Sequence, residues 1–274
     1  DAMKKHRIPS RVFMFLVMLF LYLPIFVLIV FSFNSTKSRS VWSGFSLKWY
    51  EELFGNSQIL RALTTTLEVS LLSAIIATVI GTFAAIGFFY MKRRWRTPLL
   101  AINNIPMTNA DIVTGVSMSL LFIFAGSILH FKQGFLTMLI AHITFNIPYV
   151  ILSVMPKLRQ MDGNLVNAAE DLGCTWFQAF YKVIIPEIKP GIVNGAIIAF
   201  TMSIDDFVIS LFTAGSKVQT LSMAIWSMTK KNVTPEINAV STLLFAAVLI
   251  LLIVINVREI RQEKQQEREL AAQN

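Results

Sequence analysis

The stretch Ile197-Ile198-Ala199-Phe200-Thr201-Met202-Ser203-Ile204-Asp205-Asp206-Phe207-Val208-Ile209 is apolar apart from two hydroxyls and two adjacent carboxylates. A charge in such a run is costly unless a cation or a water-filled path receives it. The stretch therefore reads as a membrane segment that handles cations. Upstream, Asn167-Ala168-Ala169-Glu170-Asp171-Leu172-Gly173 is a small-residue helix, flanked by charge and closed by glycine, which does not belong to a span. Together the two stretches imply a transport pathway joined to a cytosolic handle.

The rest of the chain agrees with a membrane reading. Of its 274 residues 55% are hydrophobic and 15% charged, with a mean hydropathy of +0.62; a soluble domain carries about a quarter charged residues. The formal charge of +8 raises the question of nucleic acid. The basic residues, however, sit in short clusters beside apolar runs, which is how a bilayer protein is anchored and oriented. Cys174 is the single cysteine, so no intramolecular disulfide framework exists, and neither a CxxC nor a zinc spacing occurs. No metal ligand set is expected.

Six stretches are long enough to cross an apolar layer that needs about 20 helical residues: Val12–Phe33, Leu63–Met91, Leu99–Phe124, Phe135–Met155, Pro190–Phe212 and Ile237–Val257. The first follows Lys4-Lys5-His6-Arg7 like the start of a signal peptide, but it is too long for that role and lacks a small-x-small site, so it is expected to remain as a span. Lys4, Lys5, Arg7 and Arg11 before it, Lys92-Arg93-Arg94-Trp95-Arg96 between spans two and three, and Arg258, Arg261, Lys264 and Arg268 after span six place both termini in the cytosol. The outer connections are then 34–62, a turn near Lys132, and 214–236. Residues 156–189 form the long inner loop, and 258–274 a cytosolic tail. The expected fold is an all-α polytopic membrane protein, one transmembrane domain over 1–274.

Within the inner loop Gly173 suits a helix end, Thr175-Trp176-Phe177-Gln178 fits a capping box, and Pro186 is expected to stop the second helix. A helix-turn-helix on the cytosolic face follows. It is not a DNA-binding one, because both ends are tied to spans and no basic recognition face is present. Span three carries Pro106, Thr108, Asn109, Asp111, Thr114, Gly115, Ser117 and Ser119, a polar and breakable stretch suited to lining a cavity. In span four, His142, Asn146 and Pro148 read as interhelical hydrogen bonding and a kink.

Asp205 lies 15 residues beyond Pro190 and Asp111 lies 13 beyond Pro98, about 22 and about 20 Å along two helices that run the same way. Similar depth lets carboxylates of two spans face one cavity. Asp206 is about 100° further round the helix than Asp205, so one of the pair can instead meet a neighbouring helix. Several carboxylates suit an elongated polycation better than a point charge, and Trp49 in the outer segment is a cation–π candidate. Against this stands a structural account: Asp205 and Asp206 as a hydrogen-bonded cap or an ion pair, Asp111 as a structural carboxylate, Trp49 as an interfacial anchor.

No GxxxxGK[ST] occurs, so the chain does not hydrolyse ATP in the P-loop manner and energy is expected from elsewhere; no cofactor or catalytic residue is expected in the chain itself. A membrane aspartyl protease is the enzymatic rival, with Asp111 and Asp205 as the only pair of suitable geometry. A stand-alone channel is the other, but it has no use for a coupling loop.

The stretch Asn167-Ala168-Ala169, three residues, Gly173, nine residues and Val183-Ile184-Ile185-Pro186 resembles the EAA motif, E-A-A-x3-G-x9-I-x-L-P, of the permease subunits of type I ABC importers. Asn167 departs from the motif glutamate, and leaves neighbouring Glu170 to make any charge contact. The chain from Pro24 to Val257 is similar, more narrowly, to PotC-type permeases of spermidine/putrescine importers. The markers are Ser32-Phe33-Asn34-Ser35, Lys48-Trp49-Tyr50, Asp111-Ile112-Val113, His142-Ile143-Thr144-Phe145, Ser203-Ile204-Asp205-Asp206 and Pro235-Glu236-Ile237-Asn238-Ala239. The resemblance implies the type I importer fold in a bacterial inner membrane. It implies a substrate pathway with Trp49, Asp111, Ser203, Asp205 and Asp206, and an ATPase-coupling surface with Asn167, Ala168, Ala169, Glu170, Gly173 and Pro186. The implied partners are a homologous second permease, two copies of a cytosolic ATPase that binds ATP and Mg, and an extracytoplasmic polyamine-binding protein. A permease for another small solute is the alternative within the class.

Overall fold

A computed structural model describes residues 7–36, 41–231, 237–250, 252, 253 and 257. The described residues form helices and one isolated antiparallel bridge, Asn34 with Phe45. Lys4, Lys5, Arg258, Arg261, Lys264 and Arg268, the tail 258–274 and Pro235-Glu236 lie outside them. Five helices have the length and apolarity to cross a membrane: Val12–Ser32, Ser57–Tyr90, Asp111–Leu129, Phe135–Gln160 and Trp176–Asp205. The sixth expected span is described as an apolar helix over Ile237–Ile250, and its expected remainder lies partly outside the described residues.

The chain divides into two compact units, residues 1–60 with 225–274, and residues 61–224. In the first, α1 (Arg7–Ser32) ends in a turn that docks on the short α2 (Lys48–Gly55). Trp49 is 1% exposed, and its Nε1–H donates to the Asn34 carbonyl at 2.6 Å. The Asn34 side chain donates to Val41 O and accepts from Ser43 N–H, the Ser32 and Tyr50 hydroxyls lie 2.7 Å apart, and the Phe33 ring stacks on Phe45. Buried polar groups are thus paired, as burial requires.

The second unit holds the longer helices: most of α3 (Ser57–Tyr90), α4 (Arg93–Thr108), α5 (Asp111–Leu129), α6 (Phe135–Gln160), α7 (Asn164–Asp171), and α8 (Trp176–Ala179) running through a π turn (Phe180–Ile184) into α9 (Ile185–Asp205). After these come α10 (Val208–Thr213) and the start of α11 (Leu221–Lys231). Its core is made by Ala85, Val150, Ile151, Val154, Leu158, Phe180, Ile184, Ile188 and Ala199. Small residues allow the helices to touch. A Cβ at Gly81 would meet the Val150 side chain at 2.8 Å, and one at Gly191 the Ser153 carbonyl at 2.9 Å.

Three expectations about helix limits are corrected. Pro186 does not stop a helix: Trp176 to Asp205 is continuous, because a π turn precedes the proline and the Ile185 N–H reaches back to Phe180 O. The wider turn absorbs a ring that has no N–H to give. Span four likewise passes through Pro156 to Gln160. Spans three and five are each broken in the middle, at Asn109-Ala110 and at Asp206-Phe207.

Candidate functional site

The two breaks come side by side. Gly115, one turn beyond Asp111, packs against α10: a Cβ there would meet Phe212 Cδ2 at 3.0 Å, Val208 O at 3.4 Å and Ile209 Cα at 3.5 Å. Asp111 is the first residue of α5 and Asp205 the last of α9, and both are exposed on this chain. Their electrostatic settings are opposite. Asp111 meets the positive end of its helix, whereas Asp205 adds a carboxylate to the partial negative charge of unpaired terminal carbonyls, a spot that attracts a cation.

Asp206, one residue on, turns inward. Its backbone leaves the helix with φ −64° and ψ 128°, so the 100° spacing expected for a continuous helix does not apply. Its side chain is 8% exposed. Oδ1 accepts from the Ile209 N–H at 3.2 Å and Oδ2 from the Ser210 N–H at 2.7 Å, which caps α10 and offsets the charge. His142 Nε2 lies 3.5 Å from Oδ2.

Around this cap runs a buried polar network. His142, 1% exposed, places Nδ1 at 2.6 Å from Ser203 Oγ and Nε2 at 3.0 Å from Ser210 Oγ. Ser203 Oγ lies 3.0 Å from Ser73 Oγ, which accepts from Asn146 Nδ2 at 3.4 Å. Ser203 therefore faces the interior of the unit, while Asp205, two residues later, faces out. Trp49 belongs to the other unit, with its indole N–H already paired. Ser73 was not singled out by the sequence; the available signal was polar residues at helical spacing in apolar helices, Ser70 with Ser73 and His142 with Asn146.

At the handle, local chemistry sets the shape. Gly173 has φ +84°, its N–H donates to Glu170 O at 2.8 Å, and the Cys174 N–H donates to Ala169 O at 3.0 Å; this is a Schellman end that needs the left-handed residue. Thr175 Oγ1 accepts from the Gln178 N–H, and Gln178 Oε1 accepts from the Thr175 N–H, the reciprocal box expected. Asn167, Ala168, Glu170, Gly173 and Pro186 are exposed, and Ala169 is buried. Leu172 is 86% exposed, a large apolar side chain left without cover on this chain. Beside the handle lies an apolar cleft of about 530 Å³ lined by Phe83, Ile86, Gly87, Tyr90, Trp176, Phe177 and Phe180.

Among the described residues no group of three or more His, Cys, Asp or Glu side chains is placed to hold a metal ion. The site thus has one exposed carboxylate at a helix start, Asp111, one at a helix end, Asp205, and a backbone held between α9 and α10 by Asp206. The described carboxylates do not form a buried, proton-sharing pair of the kind acid proteolysis requires.

Comparison with known proteins gives a consistent result. A family model described as a binding-protein-dependent transport system inner membrane component matches residues 77–260. The chain is 36% identical over 241 residues to the spermidine/putrescine transport system permease protein PotC of Haemophilus influenzae, covering 88% of this chain and 92% of that one. It is 35% identical over 254 residues to the putrescine transport system permease protein PotI of Escherichia coli K12, covering 92% and 90%. Among solved structures, a bacterial ABC transporter involved in the import of the acidic polysaccharide alginate has a TM-score of 0.73 at 13% identity, covering 93% of this chain and 97% of that one. The MetNI methionine ABC transporter, in inward-facing conformations, has a TM-score of 0.61 at 22% identity, covering 74% and 95%. At these identities the structures show the shared fold alone.

Proposed function

Since the chain belongs to the family of binding-protein-dependent transport system inner membrane components, a multi-pass permease subunit of an ABC importer and not an enzyme, we propose that its cargo is a polyamine of the spermidine or putrescine type. The observation that carries this reading is the pair of neighbouring helix breaks, where Asp111 opens α5 and Asp205 closes α9, both exposed on this chain. The names of the PotC and PotI relatives point to the same cargo.

The permeation step follows from the charges. A polyamine presents ammonium groups spaced along a flexible chain, and two exposed carboxylates at neighbouring breaks receive them in turn without a tight single-ion cage. Asp206 and Ser203 serve behind them, Asp206 by capping α10 and Ser203 by joining the polar network. Trp49, in the other unit, braces the segment around Asn34 through its indole N–H. Because Asp111 and Asp205 are open on this chain, a homologous second permease is proposed to close the other half of the path.

Coupling follows from continuity. Trp176–Asp205 is one helix of 30 residues, about 45 Å at 1.5 Å per residue, with the handle at one end and Asp205 at the other. A cytosolic ATPase, proposed in two copies, docks on the exposed Asn167–Pro186 surface with both termini of this chain on its side of the membrane. Its ATP-driven closure displaces the rod and with it the break. An extracytoplasmic polyamine-binding protein is proposed to deliver cargo at the opposite end.

The experiment is uptake of labelled spermidine and putrescine into proteoliposomes holding the assembled importer, with ATP inside and binding protein outside. Concentrative uptake that a neutral solute of similar length does not compete supports the reading. Absence of polyamine uptake, with uptake of an uncharged solute instead, rejects it.

A further inference from the structure

The ring of His142 touches both halves of broken span five at once. Nδ1 meets Ser203, two residues before the end of α9, and Nε2 meets Ser210, in the first turn of α10. The break between them comprises only Asp206 and Phe207, two residues that by themselves leave the direction of one half-helix against the other loosely fixed. The proton arrangement follows from the neighbours. The Asp206 carboxylate is 3.5 Å from Nε2, so the ring N–H belongs on Nε2, facing Ser210 Oγ and the carboxylate, while Nδ1 accepts from the Ser203 hydroxyl. The ring itself is held from behind: Ser73 Oγ lies 3.0 Å from Ser203 Oγ and takes the Asn146 amide. Every member is buried, where such bonds are strong and an unmatched partner is costly.

From this geometry we infer that His142 is a positioning residue of the transport path, bridging α9 and α10 across the break and thereby fixing the direction in which Asp205 is presented. The inference rests on the reading of Asp205 as a path residue for its effect on transport, but its structural content, the orientation of position 205, does not. His142 makes no contact with cargo in this account. It acts through Ser203, Ser210 and Asp206.

The test uses the assembled importer with Cys174→Ser as background, which removes the single cysteine of this chain, and adds Asp205→Cys as a reporter. The rate of methanethiosulfonate modification at position 205 is measured with His142 intact, with His142→Ala and with His142→Gln. The second readout is polyamine uptake per assembled complex in the same His142 variants carrying Asp205. Loss of the bridge is expected to change thiol reactivity and to lower the maximal uptake rate about tenfold with little change in apparent KM, the size expected for one buried polar contact. His142→Gln, whose amide donates and accepts, is expected to recover part of both. Unchanged reactivity together with an unchanged rate per complex overturns the inference. If His142→Ala does not assemble, Ser210→Ala removes one end of the bridge and leaves the ring in place; a shifted reactivity supports the bridge and an unchanged one overturns it. Should the unmodified complex carry no polyamine, the functional reading fails, while the reactivity comparison still decides the role of His142.

Discussion

Asp206 Oδ2 accepts the backbone N–H of Ser210 at 2.7 Å, so this carboxylate is spent on starting a helix while its neighbour Asp205 is left exposed. Two adjacent identical residues thus have different physical work. Asp206→Asn keeps an oxygen for the cap and is expected to assemble. Asp206→Ala removes the cap and is expected to destabilise the unit by about 1–2 kcal/mol. Thermal unfolding of the detergent-purified complex distinguishes them, and equal melting of the two variants would contradict the capping role.

Gly173 supplies the left-handed residue that closes α7. A β-branched side chain there is strained by about 1–2 kcal/mol, whereas asparagine tolerates the conformation. Gly173→Val is therefore expected to lower ATP-driven uptake while leaving the chain inserted, and Gly173→Asp to do the same by adding charge to the docking face; Gly173→Asn is expected to retain most activity. Cys174→Ser is expected to be nearly silent. Uptake assays beside an ATPase-binding assay check the set, and full coupling in Gly173→Val would count against the handle.

Helix contact makes a sharper comparison within α3. A Cβ at Gly81 would meet Val150 at 2.8 Å, whereas one at Gly87 meets nothing within 4 Å. Gly81→Ala is expected to weaken the packing of the second unit, and Gly87→Ala to be neutral or slightly stabilising, since alanine favours the helix by up to about 1 kcal/mol. Melting temperatures that fall equally for both would contradict the packing described.

The outcome separates what local chemistry encodes from what packing decides. Apolar runs gave the spans, and Gly173 and Thr175-Gln178 were legible because their hydrogen bonds close within a few residues. Of the handle residues named from the motif, Asn167, Ala168, Glu170, Gly173 and Pro186 are exposed and Ala169 is buried, a difference that the spacing alone does not reveal. Pro186 was misread because its meaning as a stop depends on the preceding turn, and a π turn removes the clash. The break at Asn109 was legible in part, since Pro106, Thr108, Asn109 and Asp111 mark span three as breakable. The break at Asp206 was not, because an apolar run does not display the cap that Asp206 makes on Ser210 or the packing of α10 against Gly115. Ser73, paired with a residue 130 positions away, carries no local sign of its partner.

The central claim is a path whose cargo is received by the exposed carboxylates Asp111 and Asp205. It is tested most directly by polyamine uptake in proteoliposomes for Asp111→Asn and Asp205→Asn, beside an assembly assay and basal ATPase activity. The substitutions keep size and hydrogen bonding and remove charge. Removing a carboxylate–ammonium contact of about 1.5–3 kcal/mol predicts uptake lowered by about tenfold or more, with assembly and basal ATPase retained. Uptake at the unmodified rate in both variants, or loss confined to assembly, would contradict it.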